Sequence, residues 1–195
     1  MKIILAIDRL DYPSAAKALL PLLGNAKKDG SLSSLLMAAL GKLPVEQVSL
    51  LLSALPQQEL DGIAVQLLAE KEEKLLELCS RYLENHALPL SVSALSLSKS
   101  MELSVVLTHI DYAALARRFL PMLPTAVLKD SPLSMLSGLP AKLLYTTLEK
   151  LPQSRLEQAA VYLINKFSFQ LIDKIEALAE DKGLGISLLS LSAEI

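Results

Sequence analysis

Residues 43–83 read LPVEQVSLLLSALPQQELDGIAVQLLAEKEEKLLELCSRYL, and a second version of this segment follows later in the chain. Residues 139–179 read LPAKLLYTTLEKLPQSRLEQAAVYLINKFSFQLIDKIEALA. Both versions contain two Leu-Pro pairs twelve residues apart, at 43–44 and 55–56 and again at 139–140 and 151–152. A residue before proline is disfavoured in the α region, whereas proline itself suits the first position of a helix. Each Leu-Pro pair therefore predicts a corner that is followed by a new helix.

Two further blocks repeat in the same order. LDYPSAAKALLPLL at 10–23 matches IDYAALARRFLPML at 110–123, and SALSLS at 93–98 matches SLLSLS at 187–192. The offset between the copies falls from 100 to 96 and then to 94. This pattern predicts an internal duplication with units at 1–98 and 99–195 that form one continuous array. The last residues, SLSAEI, match SLSKSM at 96–101, and a minority interpretation is that the chain is cut from a longer protein, with a third unit or a different domain beyond Ile195.

The composition favours helices. Hydrophobic residues make up 52% of the 195 residues, 47 residues are leucine, and only 4% are aromatic. Leucine is a strong helix former, and short apolar helices bury their faces by stacking on neighbours. We therefore predict an all-α fold, with the duplicated units stacked as a solenoid-like array and a loop at 24–32. One alternative is that the two units form loosely coupled lobes, and a minority interpretation is an α+β fold with short strands at 2–7, 91–98, 102–108 and 186–192.

The spacing of the Leu-Pro pairs resembles that of known stacks of short helices. It is similar to the N-terminal domains of one family of magnesium transporters and to the flagellar switch protein, over about 26 residues in each copy. This resemblance rests on leucine and proline residues. It implies a stack of short helices and no particular activity.

Charge and hydropathy patterning restrict the partners and the location. The net charge is −2 and no basic stripe is present, which argues against a nucleic-acid partner. No uncharged run approaches the roughly 18–20 residues of a membrane span, so we expect no integral membrane segment. The beginning of the chain, MKIILAIDRL, lacks a secretory apolar region, and the single cysteine excludes an internal disulfide. We expect a cytoplasmic protein, with leaderless secretion as an open alternative.

Motifs for catalysis, metals and cofactors are not found in the sequence. The two histidines and Cys79 lack metal-ligand spacing, and neither a Gly-rich phosphate loop nor a G-x-S-x-G sequence occurs. In the internal alignment, Cys79 matches an isoleucine, while His86 and His109 match a lysine and an arginine. We therefore expect a core position for Cys79 and solvated histidines. No catalytic, metal or cofactor residue is predicted.

An Asp-Tyr pair is the polar feature that both copies retain, at 11–12 and 111–112. One interpretation is a partner-binding site in each half, together with a nearby cation. The candidate residues are Asp11, Tyr12, Lys17, Asp111, Tyr112 and Arg117. The other interpretation is structural: the aspartate caps a helix, while the tyrosine ring packs and its hydroxyl reaches water.

Three functional hypotheses follow from these features. The first is a non-catalytic helical-repeat protein that binds another protein or a peptide, as an adaptor, regulator or effector. The second is a carrier of an apolar ligand or lipid, because the leucine content exceeds what a two-layer array needs. The third is an enzyme domain with a polar site that the sequence does not reveal.

Overall fold

A four-stranded antiparallel sheet lies beside a layer of helices in the computed structural model, which describes residues 1–23, 42–119, 129 and 131–195. The all-α prediction is therefore wrong, and the α+β alternative is confirmed, because strands occur at all four places where it put them. The predicted loop at 24–32 lies outside the described residues.

The described elements follow one another in the same order in the two halves of the chain. The first half contains β1 (Lys2–Leu10), α1 (Tyr12–Leu23), α2 (Val45–Ala54), α3 (Gln57–Glu70), α4 (Glu72–Asn85) and β2 (Ser91–Leu97). The second half contains β3 (Glu102–Thr108), α5 (Tyr112–Phe119), a 3-10 turn (Ser134–Leu136), α6 (Ala141–Leu148), α7 (Gln153–Lys166), α8 (Ser168–Asp181) and β4 (Ile186–Glu194).

The strand order is β2-β3-β1-β4, so each strand pairs with strands of the other half. In the central pair, Ile4 lies opposite Ser104. These two residues correspond to each other at the offset of 100, so a local twofold axis passes between them. The predicted stack of two helical units is wrong for the same reason: the strands of both halves alternate in a single sheet.

The Leu-Pro pairs act as the sequence predicts at all four corners. A helix begins directly after Pro44, Pro56, Pro140 and Pro152. Each proline has an extended ψ between 137° and 144°. It is the N-cap residue rather than the first helical residue, so each helix begins one residue later than expected. The fixed φ of proline therefore sets the chain direction into each helix.

One face of the sheet is apolar and forms the core with the helices. Helices α3 and α4 contact β2, while α7 and α8 contact β4. Leu5, Leu103 and Leu191 project from this face into the same core cluster. The opposite face carries small and charged residues together with two larger apolar ones, namely Lys2, Ile4, Ala6, Glu102, Ser104, Val106, Ser190, Ser192 and Glu194. The chain thus has two layers, with its core between sheet and helices.

The strand register corrects the predicted offset between the last strands of the two halves. Leu5 lies opposite Leu191, and Val105, which corresponds to Leu5, lies opposite Leu95. Leu95 and Leu191 are therefore equivalent at an offset of 96, as are the 14-residue helices α3 and α7. The predicted offset of 94 was wrong because alternating serines and leucines match one another again after a shift of two residues.

Candidate functional site

Asp11 and Asp111, the aspartates that both copies retain, each cap a helix. Asp11 Oδ1 accepts a hydrogen bond from the Ser14 backbone N–H (3.3 Å), and Asp11 Oδ2 accepts one from the Ser14 hydroxyl (2.7 Å). Asp111 Oδ1 accepts a hydrogen bond from the Ala114 N–H at 2.9 Å. These bonds satisfy N–H groups that the first turn of a helix leaves without partners.

The tyrosines that follow are buried, and each hydroxyl binds a carboxylate. The Tyr12 hydroxyl donates to Asp61 Oδ1 at 2.6 Å, and the Tyr112 hydroxyl donates to Glu157 Oε1 at 3.1 Å. The expectation that these hydroxyls reach water is therefore wrong. Burial, and then the carboxylate partner, raise the pKa of Tyr12 and of Tyr112 well above the ordinary value near 10.

Asp61 and Glu157 are equivalent residues at the offset of 96, and the sequence interpretation overlooked them. Each has a further polar neighbour: the Gln57 amide donates to Asp61 Oδ1 at 3.3 Å, and the Met1 amino group lies 3.7 Å from Glu157 Oε1. The available signal was an acid at the same aligned position in both copies. A search for identical residues misses it, because one copy has Asp and the other Glu.

A cleft of about 560 Å³ lies beside Asp11 and Tyr12, where β1 and α2 end and α1, α3 and β4 begin. Its apolar lining includes Leu10, Leu52, Leu55, Leu60 and Ile186. Its polar lining comes from Arg9, Asp11, Ser53, Gln57 and Ser187, and polar atoms contribute at least as much of the surface as apolar atoms. Five elements from three separate parts of the chain thus meet around one open space.

Two contacts cross the corresponding region of the second half. The Gln153 amide donates to the Ile110 carbonyl at 2.7 Å, and Arg117 pairs with Glu149 at 2.9 Å. In the first half, the residue equivalent to Glu149 is Ser53, which is short and donates to the Ser49 carbonyl of its own helix. The residue equivalent to Gln153, Gln57, turns to Asp61. Among the described residues, these contacts therefore distinguish the second half from the first.

The six predicted site residues fall into two separate groups. Because β1 and β3 are antiparallel, the Asp-Tyr pairs that follow them lie at opposite ends of the sheet. Asp11 and Tyr12 line the cleft. Lys17 is exposed and makes no ion pair with the described residues, whereas Arg117 is paired with Glu149. Whether these residues bind a partner remains a prediction.

The remaining candidates have ordinary surroundings. Cys79 is half-buried, and burial raises the pKa of its thiol, which disfavours the reactive thiolate. His86 is exposed and stacks on Tyr82 with ring centroids 4.0 Å apart, and His109 is also exposed. Within the described ranges, no group of three or more His, Cys, Asp or Glu residues could hold a metal ion. Among the described helices, none combines the length and apolarity that crossing a membrane requires.

Comparisons with protein-family models, with curated proteins and with solved structures found no significant match to this chain. The functional argument therefore rests on the cleft and on the residues that form it.

Proposed function

We propose that this chain is a non-catalytic module that binds a segment of another protein, and that the cleft in its first half is the binding site. The observation that carries this proposal is the difference between the halves. Ser53 lines the cleft and bonds within its own helix, whereas the equivalent residue Glu149 is paired with Arg117. The volume of about 560 Å³ lies within the range of roughly 300–1,000 Å³ that is typical of ligand sites.

The lining of the cleft suits an extended peptide segment. The leucine side chains of the lining can contact an apolar side chain of the segment, and the polar groups of the lining can bind its backbone. The walls are held in place by the Asp11 cap and by the bond between Tyr12 and Asp61. A preformed site of this kind loses little conformational entropy when it binds.

The two units predicted at 1–98 and 99–195 would then differ in role. We propose that they arose by duplication, because both contain the capping aspartate, the buried tyrosine and an acid that accepts the tyrosine hydroxyl. The first unit would supply the binding site, and the second would complete the sheet. We place the partner in the cytoplasm and expect a protein rather than a nucleic acid, since the net charge is −2.

A substitution that copies the second half into the first tests this proposal. Ser53→Glu introduces the residue found at the equivalent position, opposite Lys17, and should fill the mouth of the cleft. Glu149→Ser is the matched control, because it makes the reverse change in the other half.

The measurement is selection of binders from a displayed random-peptide library on the unmodified protein. We expect peptides that lose binding to the Ser53→Glu protein and retain binding to the Glu149→Ser protein. A selection that yields no peptide with this pattern would refute the cleft as the binding site. Circular dichroism spectra of the three proteins check that all of them are folded.

A further inference from the structure

We infer that the cleft recognises a carboxylate of the bound segment, next to an apolar side chain, and that Arg9 is the residue that binds it. This inference rests on the proposed function and specifies the chemistry of the partner. The ligand class is a peptide with an aspartate or glutamate side chain, or with a free C-terminal carboxylate, that follows or precedes a leucine-like residue.

The first step concerns the charged groups. Among the described residues that line the cleft, two are charged, Arg9 and Asp11. Both carboxylate oxygens of Asp11 accept hydrogen bonds from Ser14, so this carboxylate is held at the first turn of α1 and keeps its negative charge. Arg9 is exposed and makes no ion pair with any residue that the structure describes. Among the described charged groups of the lining, Arg9 is therefore the one that can donate hydrogen bonds to a ligand.

The second step concerns the neutral polar groups. The Tyr12 hydroxyl and the Gln57 amide both donate to Asp61, and the Ser53 hydroxyl donates to the Ser49 carbonyl. Among the described residues of the cleft, the guanidinium of Arg9 is thus the strongest hydrogen-bond donor that has no described partner. A planar guanidinium binds a carboxylate through two parallel N–H···O bonds, which fixes the orientation of the ligand as well as its charge.

The third step separates the carboxylate from other anions. Among the described residues, the lining contains one cation without an ion pair beside several leucines, which suits a single negative charge attached to an apolar group. A phosphate group carries up to two negative charges, and a single arginine neutralises only one of them.

The second half provides an internal comparison. The residue equivalent to Arg9 is His109, whose backbone has a φ of +49°. The nearby cation Arg117 is neutralised by Glu149. The free guanidinium and the open cleft therefore occur together in the first half, as a ligand-binding role for Arg9 requires.

Three short peptides test the inference in a nuclear magnetic resonance titration of the ¹⁵N-labelled full chain. Ac-Leu-Asp-Leu-NH2 carries a side-chain carboxylate, Ac-Leu-Asn-Leu-NH2 is its neutral counterpart, and Ac-Leu-Asn-Leu-OH carries a C-terminal carboxylate. We expect the aspartate peptide to shift the amide signals of Arg9, Leu10 and Ser187. Its affinity should be about fivefold higher than that of the neutral peptide, as for an accessible ion pair.

The variants separate the role of Arg9 from a general effect of charge. Arg9→Gln should abolish the preference for the acidic peptide, and Arg9→Lys should retain part of it, because lysine keeps the charge without the planar pair of donors. Arg155→Gln, at an exposed arginine of α7, removes the same charge elsewhere and should leave the preference unchanged. The spectra themselves show whether each variant is folded.

The outcomes distinguish the inference from the proposed function. Equal binding of the acidic and neutral peptides at the cleft would overturn the inference and leave the proposed function intact. If none of the three peptides shifts signals at the cleft, the inference is overturned, and the library selection alone decides the proposed function. Tighter binding of Ac-Leu-Asn-Leu-OH than of Ac-Leu-Asp-Leu-NH2 supports the inference and identifies a chain terminus as the source of the carboxylate.

Discussion

Replacing Asn165 with alanine should open the outer edge of the sheet. Asn165 lies near the end of α7, and its side chain binds Ala193 in the edge strand β4. Asn165 Oδ1 accepts from the Ala193 N–H at 2.7 Å, and the side-chain amide donates to the Ala193 carbonyl at 3.0 Å. An adjacent strand would bind the same two backbone groups. Asn165 therefore takes the place of a fifth strand at this position.

The expected loss of stability follows from these two bonds. A partly buried hydrogen bond contributes about 1 kcal/mol, so the pair contributes about 2 kcal/mol. Alanine is the better helix former by about 0.5 kcal/mol, which offsets part of the loss. The free energy of unfolding should fall by about 1.5 kcal/mol, and Tm should fall by about 3–6 °C for a chain of this size.

Urea unfolding followed by circular dichroism measures the free energy of unfolding. Sedimentation velocity measures self-association through the opened edge of the sheet. The control is Gln170→Ala, which removes an exposed amide from the neighbouring helix α8 and should change stability by less than about 0.5 kcal/mol. If Asn165→Ala and the control lose equal stability, the side chain does not hold the strand, and the reasoning fails.

Three further predictions concern the backbone and the tyrosines. Ala87 (φ +49°) ends α4 where Gly183 (φ +71°) ends α8, so Ala87→Gly should stabilise the protein by about 0.5 kcal/mol. Gly183→Ala should destabilise it by about 1 kcal/mol. If the two variants change the free energy of unfolding in urea by the same amount and sign, this prediction is contradicted. The raised pKa values of Tyr12 and Tyr112 mean that the unfolded chain loses these protons first. The free energy of unfolding should therefore fall above about pH 10, by up to about 1.4 kcal/mol per pH unit for each tyrosine. Urea unfolding at several pH values measures this fall, which should be less steep with pH in the double Tyr→Phe variant. A Cβ at Gly185 would lie 2.7 Å from Asp11 Cβ. Gly185→Ala should therefore lower Tm in a thermal melt. An unchanged Tm would show that the segment before β4 shifts without loss of stability.

The helices of the duplicated segment could be predicted because their signals are local. A proline fixes its own φ and restricts the preceding residue, so a Leu-Pro pair acts on the chain wherever it occurs. The helices that begin at Val45, Gln57, Ala141 and Gln153 follow directly from it. The aspartate caps at 11 and 111 have the same local character.

The strands were harder to predict because their patterns are incomplete. In β2 the register shifts between Val92 and Ala94, so the alternation of apolar and polar residues is interrupted at a bulge. In β1, Ile4 and Ala6 are apolar although they lie on the face away from the core, which hides the alternation. A leucine-rich sequence with these irregularities favoured helices on composition alone.

The cleft could not be predicted, because its parts are brought together only by folding. Arg9, Ser53 and Ser187 come from three elements that are up to 178 residues apart, and their proximity depends on the pairing of β1 with β4. The partner of Tyr12 is 49 residues away, and Asn165 is 28 residues from Ala193. The spacing of residues along the sequence does not indicate which of these distant residues come into contact.

By itself, the sequence determined where the helices after the four Leu-Pro pairs begin and which aspartates cap α1 and α5, since each of these depends on interactions between near neighbours. It also contains three blocks that repeat in the same order. The tertiary structure alone decided that β1 and β3 pair at the centre, that the tyrosine hydroxyls bind acids, and that residues of β1, α2 and β4 form a cleft. These features depend on backbone hydrogen bonds and side-chain contacts between distant residues. Such contacts form only when the apolar face of the sheet is buried against the helices, because that burial holds the distant segments together.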